Sequence, residues 1–66
     1  MTITANGRER EVAAGTTLAE LIASFGWAPA QVVVERNGEP VPRGDMATIT
    51  LQAHDRLEIV RAVAGG

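Results

Sequence analysis

Residues 15–26 read GTTLAELIASFG, and this stretch decides the fold. Thr17 and Glu20 have the spacing of a capping box, in which the threonine oxygen and the glutamate each satisfy a backbone amide that the helix start leaves unpaired; Thr16 is an alternative cap. Leu18, Leu21, Ile22 and Phe25 then fall at i, i+3, i+4 and i+7, one apolar stripe on a helix from Thr17 to Phe25. Gly26 is placed for a left-handed conformation just past the helix end, with Trp27 as its covering contact and Pro29 preventing resumption.

Upstream, Met1, Ile3 and Ala5 alternate with Thr2 and Thr4, which predicts a strand with one apolar face. Asn6-Gly7 signals a two-residue hairpin, because both central positions of a type I′ turn need positive φ. The returning strand, Arg8 to Val12, is highly charged and ends on one buried valine, the pattern of an edge strand that resists sheet-to-sheet association.

Downstream, Gln31 to Arg36 reads as a strand with Val32 and Val34 inward and Val33 outward, closed by a second Asn-Gly turn at Asn37-Gly38. Pro40 and Pro42 make Glu39 to Arg43 irregular or at most an edge segment. Met46, Ile49 and Leu51 are the apolar anchors expected to hold the crossing segment, and His54-Asp55 reads as a turn. In the last strand, Arg56 to Arg61, Leu57 and Ile59 share one face and Glu58 and Val60 the other. One helix lying across one face of a small mixed sheet makes the expected class α+β.

The chain has 66 residues, which fits one domain spanning 1–66 with a flexible tail over 62–66. It has no cysteine, so disulfides, a thiolate nucleophile and Cys-based zinc binding play no part. Eight acidic and six basic residues leave a net charge of -2, and the basic residues, Arg8 to Arg61, form no cluster in sequence, which argues against a nucleic-acid partner. No apolar run approaches the roughly 20 residues of a spanning helix, and no secretory signal is visible, so neither a membrane partner nor export is expected and the predicted location is cytoplasmic.

Side-chain chemistry is sparse. His54 is a lone histidine in a polar turn, without the nucleophile and orienting group a general base needs. Glu9, Glu11, Glu20, Glu35, Glu39, Asp45, Asp55 and Glu58 are scattered over turns and outward strand positions and read as surface charge. The glycines lack phosphate-loop spacing and the chain has no lysine, so no bound cofactor or metal is expected. Val33 and Val60, outward by strand parity, are candidates for partner contact, with Ala62 beside them. The end of the sequence, Ala64-Gly65-Gly66, closes on two residues without a Cβ, a backbone that can pass a narrow channel but that also fits plain fraying.

Taken together, ITANG over 3–7, GTTLAELIASFG over 15–26, VVVERNGEPVPR over 32–43 and DRLEIVRAVAGG over 55–66 resemble the ThiS family of sulfur carrier proteins. The resemblance implies a ubiquitin-like β-grasp fold and a protein co-substrate in place of an enzyme. It implies further that an adenylating enzyme uses ATP and magnesium to activate the Gly66 carboxylate. Sulfur from a persulfide enzyme then converts it to a thiocarboxylate, which supplies a thiazole synthase in thiamine biosynthesis. On this reading Gly65 and Ala64 are the threading residues, Ala64 standing where related tails often have glycine. The small subunit of molybdopterin synthase shares the fold and the diglycine, but its tails often carry prolines where this chain has Arg61-Ala62-Val63. A ubiquitin-like protein modifier is the third alternative.

Overall fold

The structure, a computed structural model, describes residues 1–62. Strand β1 (Thr2–Ala5) turns into β2 (Arg8–Glu11), helix α1 (Leu18–Ser24) follows, and then come β3 (Val32–Arg36), the two-residue β4 (Glu39–Pro40) and β5 (Arg56–Arg61). The sheet order is β2-β1-β5-β3-β4, with β1 parallel to β5 and the other pairings antiparallel. This is the mixed sheet covered by a single helix of the ubiquitin-like β-grasp, and the last strand occupies its centre.

Both Asn-Gly turns form as expected. Asn6 and Gly7 sit at φ 52° and 80°, Asn37 and Gly38 at 53° and 85°. Each closes a two-residue hairpin, so the register of both pairs is fixed locally: Ala5 faces Arg8, and Arg36 faces Glu39. The charged β2 lies at one edge with all four residues exposed, and the proline-bearing β4 at the other.

Helix α1 is capped as its sequence requires. The Glu20 amide donates to Thr17 Oγ1 at 3.2 Å and the Thr17 amide to Glu20 Oε1 at 2.8 Å, while the Thr16 hydroxyl turns back to the Ala13 carbonyl, so Thr17 is the cap. At the other end Gly26 has φ 84°, its amide donates to the Ala23 carbonyl, and the Trp27 amide reaches the Ile22 carbonyl. These two bonds are the paired closure of a Schellman motif.

The core consists of Ile3, Leu18, Leu21, Ile22, Val32, Val34, Met46, Leu51, Leu57 and Ile59, with Phe25, Trp27 and Ile49 partly buried against it. Every inward assignment made by strand parity for β1, β3 and β5 is met. The irregular crossing segment does more than contribute Met46 and Leu51. Its Ile49 and Met46 carbonyls accept the Leu18 and Ala19 amides at 3.0 and 2.9 Å, so the crossing chain also satisfies donors that the helix start leaves open.

Three expectations need correction. Pro29 ends the α-helix but opens a 3-10 turn over Pro29–Gln31, since its fixed φ and missing amide suit the first helical position; Gln31 therefore precedes β3. Val12 lies beyond β2 and is only half-buried, at the margin of the core. Asp55 is buried, where the sequence reading placed a surface charge. No helix among the described residues is long and apolar enough to cross a membrane.

Leu21 lies on the helix stripe with 3% of its surface exposed. Leu21→Ala should lower stability by about 2 to 5 kcal/mol through lost burial and the cavity left behind, read as a shift in the urea midpoint without a change in slope.

Candidate functional site

A single helix can cover one face of the sheet, so the other remains open. By register this open face carries Thr2 and Thr4 of β1, Glu9 and Glu11 of β2, Val33 and Glu35 of β3, and Arg56, Glu58 and Val60 of β5. Val33 and Val60 are directly opposite one another on adjacent strands and are 54% and 63% exposed. They form one apolar patch, as single exposed valines far apart would not. Next to this pair, Glu35 faces Glu58 directly. With Arg56 beside them on the same face, the two carboxylates leave this part of the sheet net acidic, which favours a basic partner.

The patch stands where the chain leaves the sheet. Val32 pairs with Arg61, and the Ala62 amide donates to the Gln31 carbonyl at 2.7 Å, so Ala62 is exposed yet still tied to the body. The residues expected to carry the chemistry, Ala64, Gly65 and Gly66, lie outside the described residues. Val33, Val60 and Ala62 are thus brought together at one end of the sheet. The acidic pair beside them was missed in the sequence, where Glu35 and Glu58 read as ordinary outward charge. Only the β3–β5 register sets them face to face.

On the helix side of the sheet, β2 carries its two arginines, Arg8 and Arg10, both exposed. Arg10 lies over the Phe25 ring, 4.4 Å from guanidinium carbon to ring centre, and Phe25 meets Trp27 at 5.7 Å. Trp27 is partly buried against the core, which fits its expected packing role. His54 is exposed at φ 69°, its amide donating to the Thr2 carbonyl at 2.7 Å, the turn residue it was expected to be.

Asp55 belongs to the scaffold that holds β5 in place. Its Oδ2 accepts from the Gln52 amide at 2.8 Å and from Arg36 Nε at 3.0 Å, and its Oδ1 from Asn37 Nδ2 at 3.1 Å. Burial alone would raise its pKa. The Gln52 amide, then Asn37 and Arg36, outweigh that and hold the carboxyl below its ordinary 3.8.

A family model described as the ThiS family matches residues 2–66. The chain belongs to the ThiS family. Among solved structures it is similar to the thiamine biosynthesis protein ThiS from Geobacter metallireducens. The crystal structure of that protein superposes with a TM-score of 0.80 at 32% identity, covering 100% of both chains. Its solution NMR structure gives a TM-score of 0.75 at 30% identity, covering 100% of this chain and 88% of the other. Among curated proteins this ThiS-family chain is 42% identical over 66 residues to a thiazole synthase of Magnetococcus marinus, and 38% identical over 66 residues to one of Paramagnetospirillum magneticum. It covers 100% of its own length in both matches but spans only 20% of the length of either relative.

The Asp55 network gives a pH prediction. Because its carboxyl stays ionised to lower pH in the folded chain than in the unfolded one, its contribution is complete above the ordinary carboxylate value and is lost as pH falls through the lower folded value. Asp55→Asn should therefore lower stability at neutral pH by about 1 to 3 kcal/mol and flatten the acid limb of a urea-midpoint profile, whereas the same change at exposed Asp45 should leave both nearly unchanged.

Proposed function

We propose that this chain is a sulfur carrier whose working group is the Gly66 carboxylate. The observation that carries the reading is the ThiS-family match extending through residue 66, together with a body that offers an open docking face and no converging side-chain site among its described residues. The chain acts as a protein co-substrate in the cytoplasm, and partner enzymes perform the chemistry.

A carboxylate is a poor acyl donor because resonance stabilises it and its oxygen is a poor leaving group. An adenylating enzyme, using ATP and magnesium, joins the Gly66 oxygen to the α-phosphorus and releases pyrophosphate. The terminal sulfur of a persulfide then attacks the acyl carbon, AMP leaves, and a thiol cleaves the sulfur–sulfur bond to free the thiocarboxylate. The names of the curated relatives support a thiazole synthase as the acceptor, and the thiamine biosynthesis proteins of similar fold support the same pathway.

The body serves this chemistry by docking. From Ala62 to Gly66 five residues span about 16 to 18 Å when extended, enough to carry the acyl carbon into a recessed site. Gly65 and Ala64 give that segment a slim cross-section, with Gly65 free of a Cβ. Threading it costs roughly 1 to 2 kcal/mol of backbone entropy per residue ordered, which contacts at Val33, Val60, Ala62 and the Glu35–Glu58 pair offset. The partner surface this face fits is apolar at its centre and basic at its rim.

Two measurements test the reading. Intact-protein mass spectrometry after incubation with adenylating enzyme, ATP, magnesium and a persulfide donor should show a gain of about 16 Da on the full chain and none on a chain lacking Gly66, whose acyl carbon falls about 3.5 Å short. Equal modification of the truncated chain would refute the assignment. In calorimetry, Val60→Asp should weaken binding to the adenylating enzyme at least about tenfold while leaving the fold largely intact; unchanged affinity would remove Val60 from the interface.

A further inference from the structure

Asn6 and Asn37 are the only asparagines in the chain, and each is followed by glycine. We propose that both are deamidation sites held closed by the folded sheet, so that the modification belongs to the unfolded chain and, once made, blocks its return.

In this reaction the glycine nitrogen bonds to the asparagine Cγ, the Cγ–Nδ2 bond breaks and ammonia leaves. Water then opens the cyclic imide at either carbonyl, giving aspartate or isoaspartate. The net change consumes one water and releases one ammonia, with no oxidant or enzyme. Glycine favours the reaction because no side chain shields its nitrogen.

The attack requires Cγ to swing over the following amide, and the fold prevents this at both turns. Asn6 Nδ2 donates to the Ile59 carbonyl at 3.0 Å while its Oδ1 accepts from the Ile59 amide at 2.7 Å. Asn37 Oδ1 accepts from the Arg56 amide at 2.9 Å while its Nδ2 donates to Asp55 Oδ1 at 3.1 Å. Both side chains are thus committed at both ends to β5 or to Asp55, the residue before it. Freeing either one means breaking two hydrogen bonds at once, a step that the folded sheet opposes and the unfolded chain does not face.

The products do not fit back. Aspartate at position 6 sets an oxygen where an N–H met the Ile59 carbonyl. Aspartate at position 37 sets a second carboxylate against Asp55. Isoaspartate adds a methylene to the main chain inside a two-residue turn, which no longer delivers the register on which strand facing depends. Deamidation therefore records time spent unfolded and retires the chain that has spent it.

The test compares the native chain with the same chain in urea, in mildly alkaline buffer, by intact mass and peptide mapping. In urea, two steps of about 1 Da each should appear, in the peptides holding Asn6-Gly7 and Asn37-Gly38. Without urea both should slow at least about 30-fold, and sub-denaturing urea should raise the native rate in step with the unfolded fraction. A native rate within about threefold of the unfolded one, or one indifferent to urea, would overturn the proposal. So would a deamidated chain that refolds with the original urea midpoint. Asn37→Asp, made directly, should fold with a lowered midpoint or fail to fold, and an unchanged midpoint would count against the proposed block; the rate comparison stands without any variant.

Discussion

The structure depends on how β5 is gripped. It is the last strand in sequence and the middle one in space, flanked by β1 and β3. Its pairing with β1 is short, only Thr4 with Arg56 and Ala5 with Leu57. A parallel ladder of that length is weak support for joining residues more than fifty positions apart, a loop whose closure costs entropy. Polar contacts extend it at both ends. The Thr4 amide donates to the Asp55 carbonyl at 2.8 Å and the Asn6 amide to the Leu57 carbonyl at 2.9 Å. Beyond these, the Asn6 side chain bonds Ile59 through both its oxygen and its nitrogen, as a further backbone residue would. On the opposite flank the Asn37 amide and Oδ1 meet the Arg56 carbonyl and amide. Each hairpin turn therefore has a second task, since the residue that bends the chain also clamps the central strand.

The helix is integrated by a similar economy. Its first turn leaves amides without intrahelical partners, and the crossing segment between β4 and β5 leaves carbonyls without a ladder. Setting one against the other satisfies both, and the Thr17–Thr50 bridge and the Leu51 amide on the Thr16 carbonyl complete the junction. Met46 and Leu51 are carried into the core by these bonds, each with 1% of its surface exposed. A segment with two prolines nearby, whose one regular element is a 3-10 turn over Arg43–Asp45, is thereby held in place.

Local features were legible in the sequence because their causes are local. The capping box, the glycine closure of the helix, both Asn-Gly turns and the inward set Ile3, Val32, Val34, Leu57 and Ile59 follow from spacing and alternation alone. What escaped depends on register between distant segments. Asp55 follows a histidine in a polar turn and reads as solvent-exposed. It is buried because Arg36 and Asn37, 19 and 18 residues earlier, converge on it once β3 lies beside β5. The second role of Asn6 reaches 53 residues along the chain. The Glu35–Glu58 opposition is equally a property of the pairing and not of either strand. At the candidate site, parity sufficed to turn Val33 and Val60 outward, but only pairing made them one patch.

The open face leaves part of the apolar surface of this small body unburied. A second helix over the sheet would hide Val33 and Val60 and relieve the exposure. It would also cover the end of the sheet at which β5 finishes. Leaving the face bare, with two acidic residues beside the valines, leaves apolar surface in water in the free body and creates interactions that improve when a complementary surface arrives. A basic partner that docks here gains apolar burial and charge complementarity together. Under the proposed function, that free energy offsets the cost of holding the Gly66 terminus in a partner's site, which links the body's incomplete burial to the chemistry proposed for the terminus.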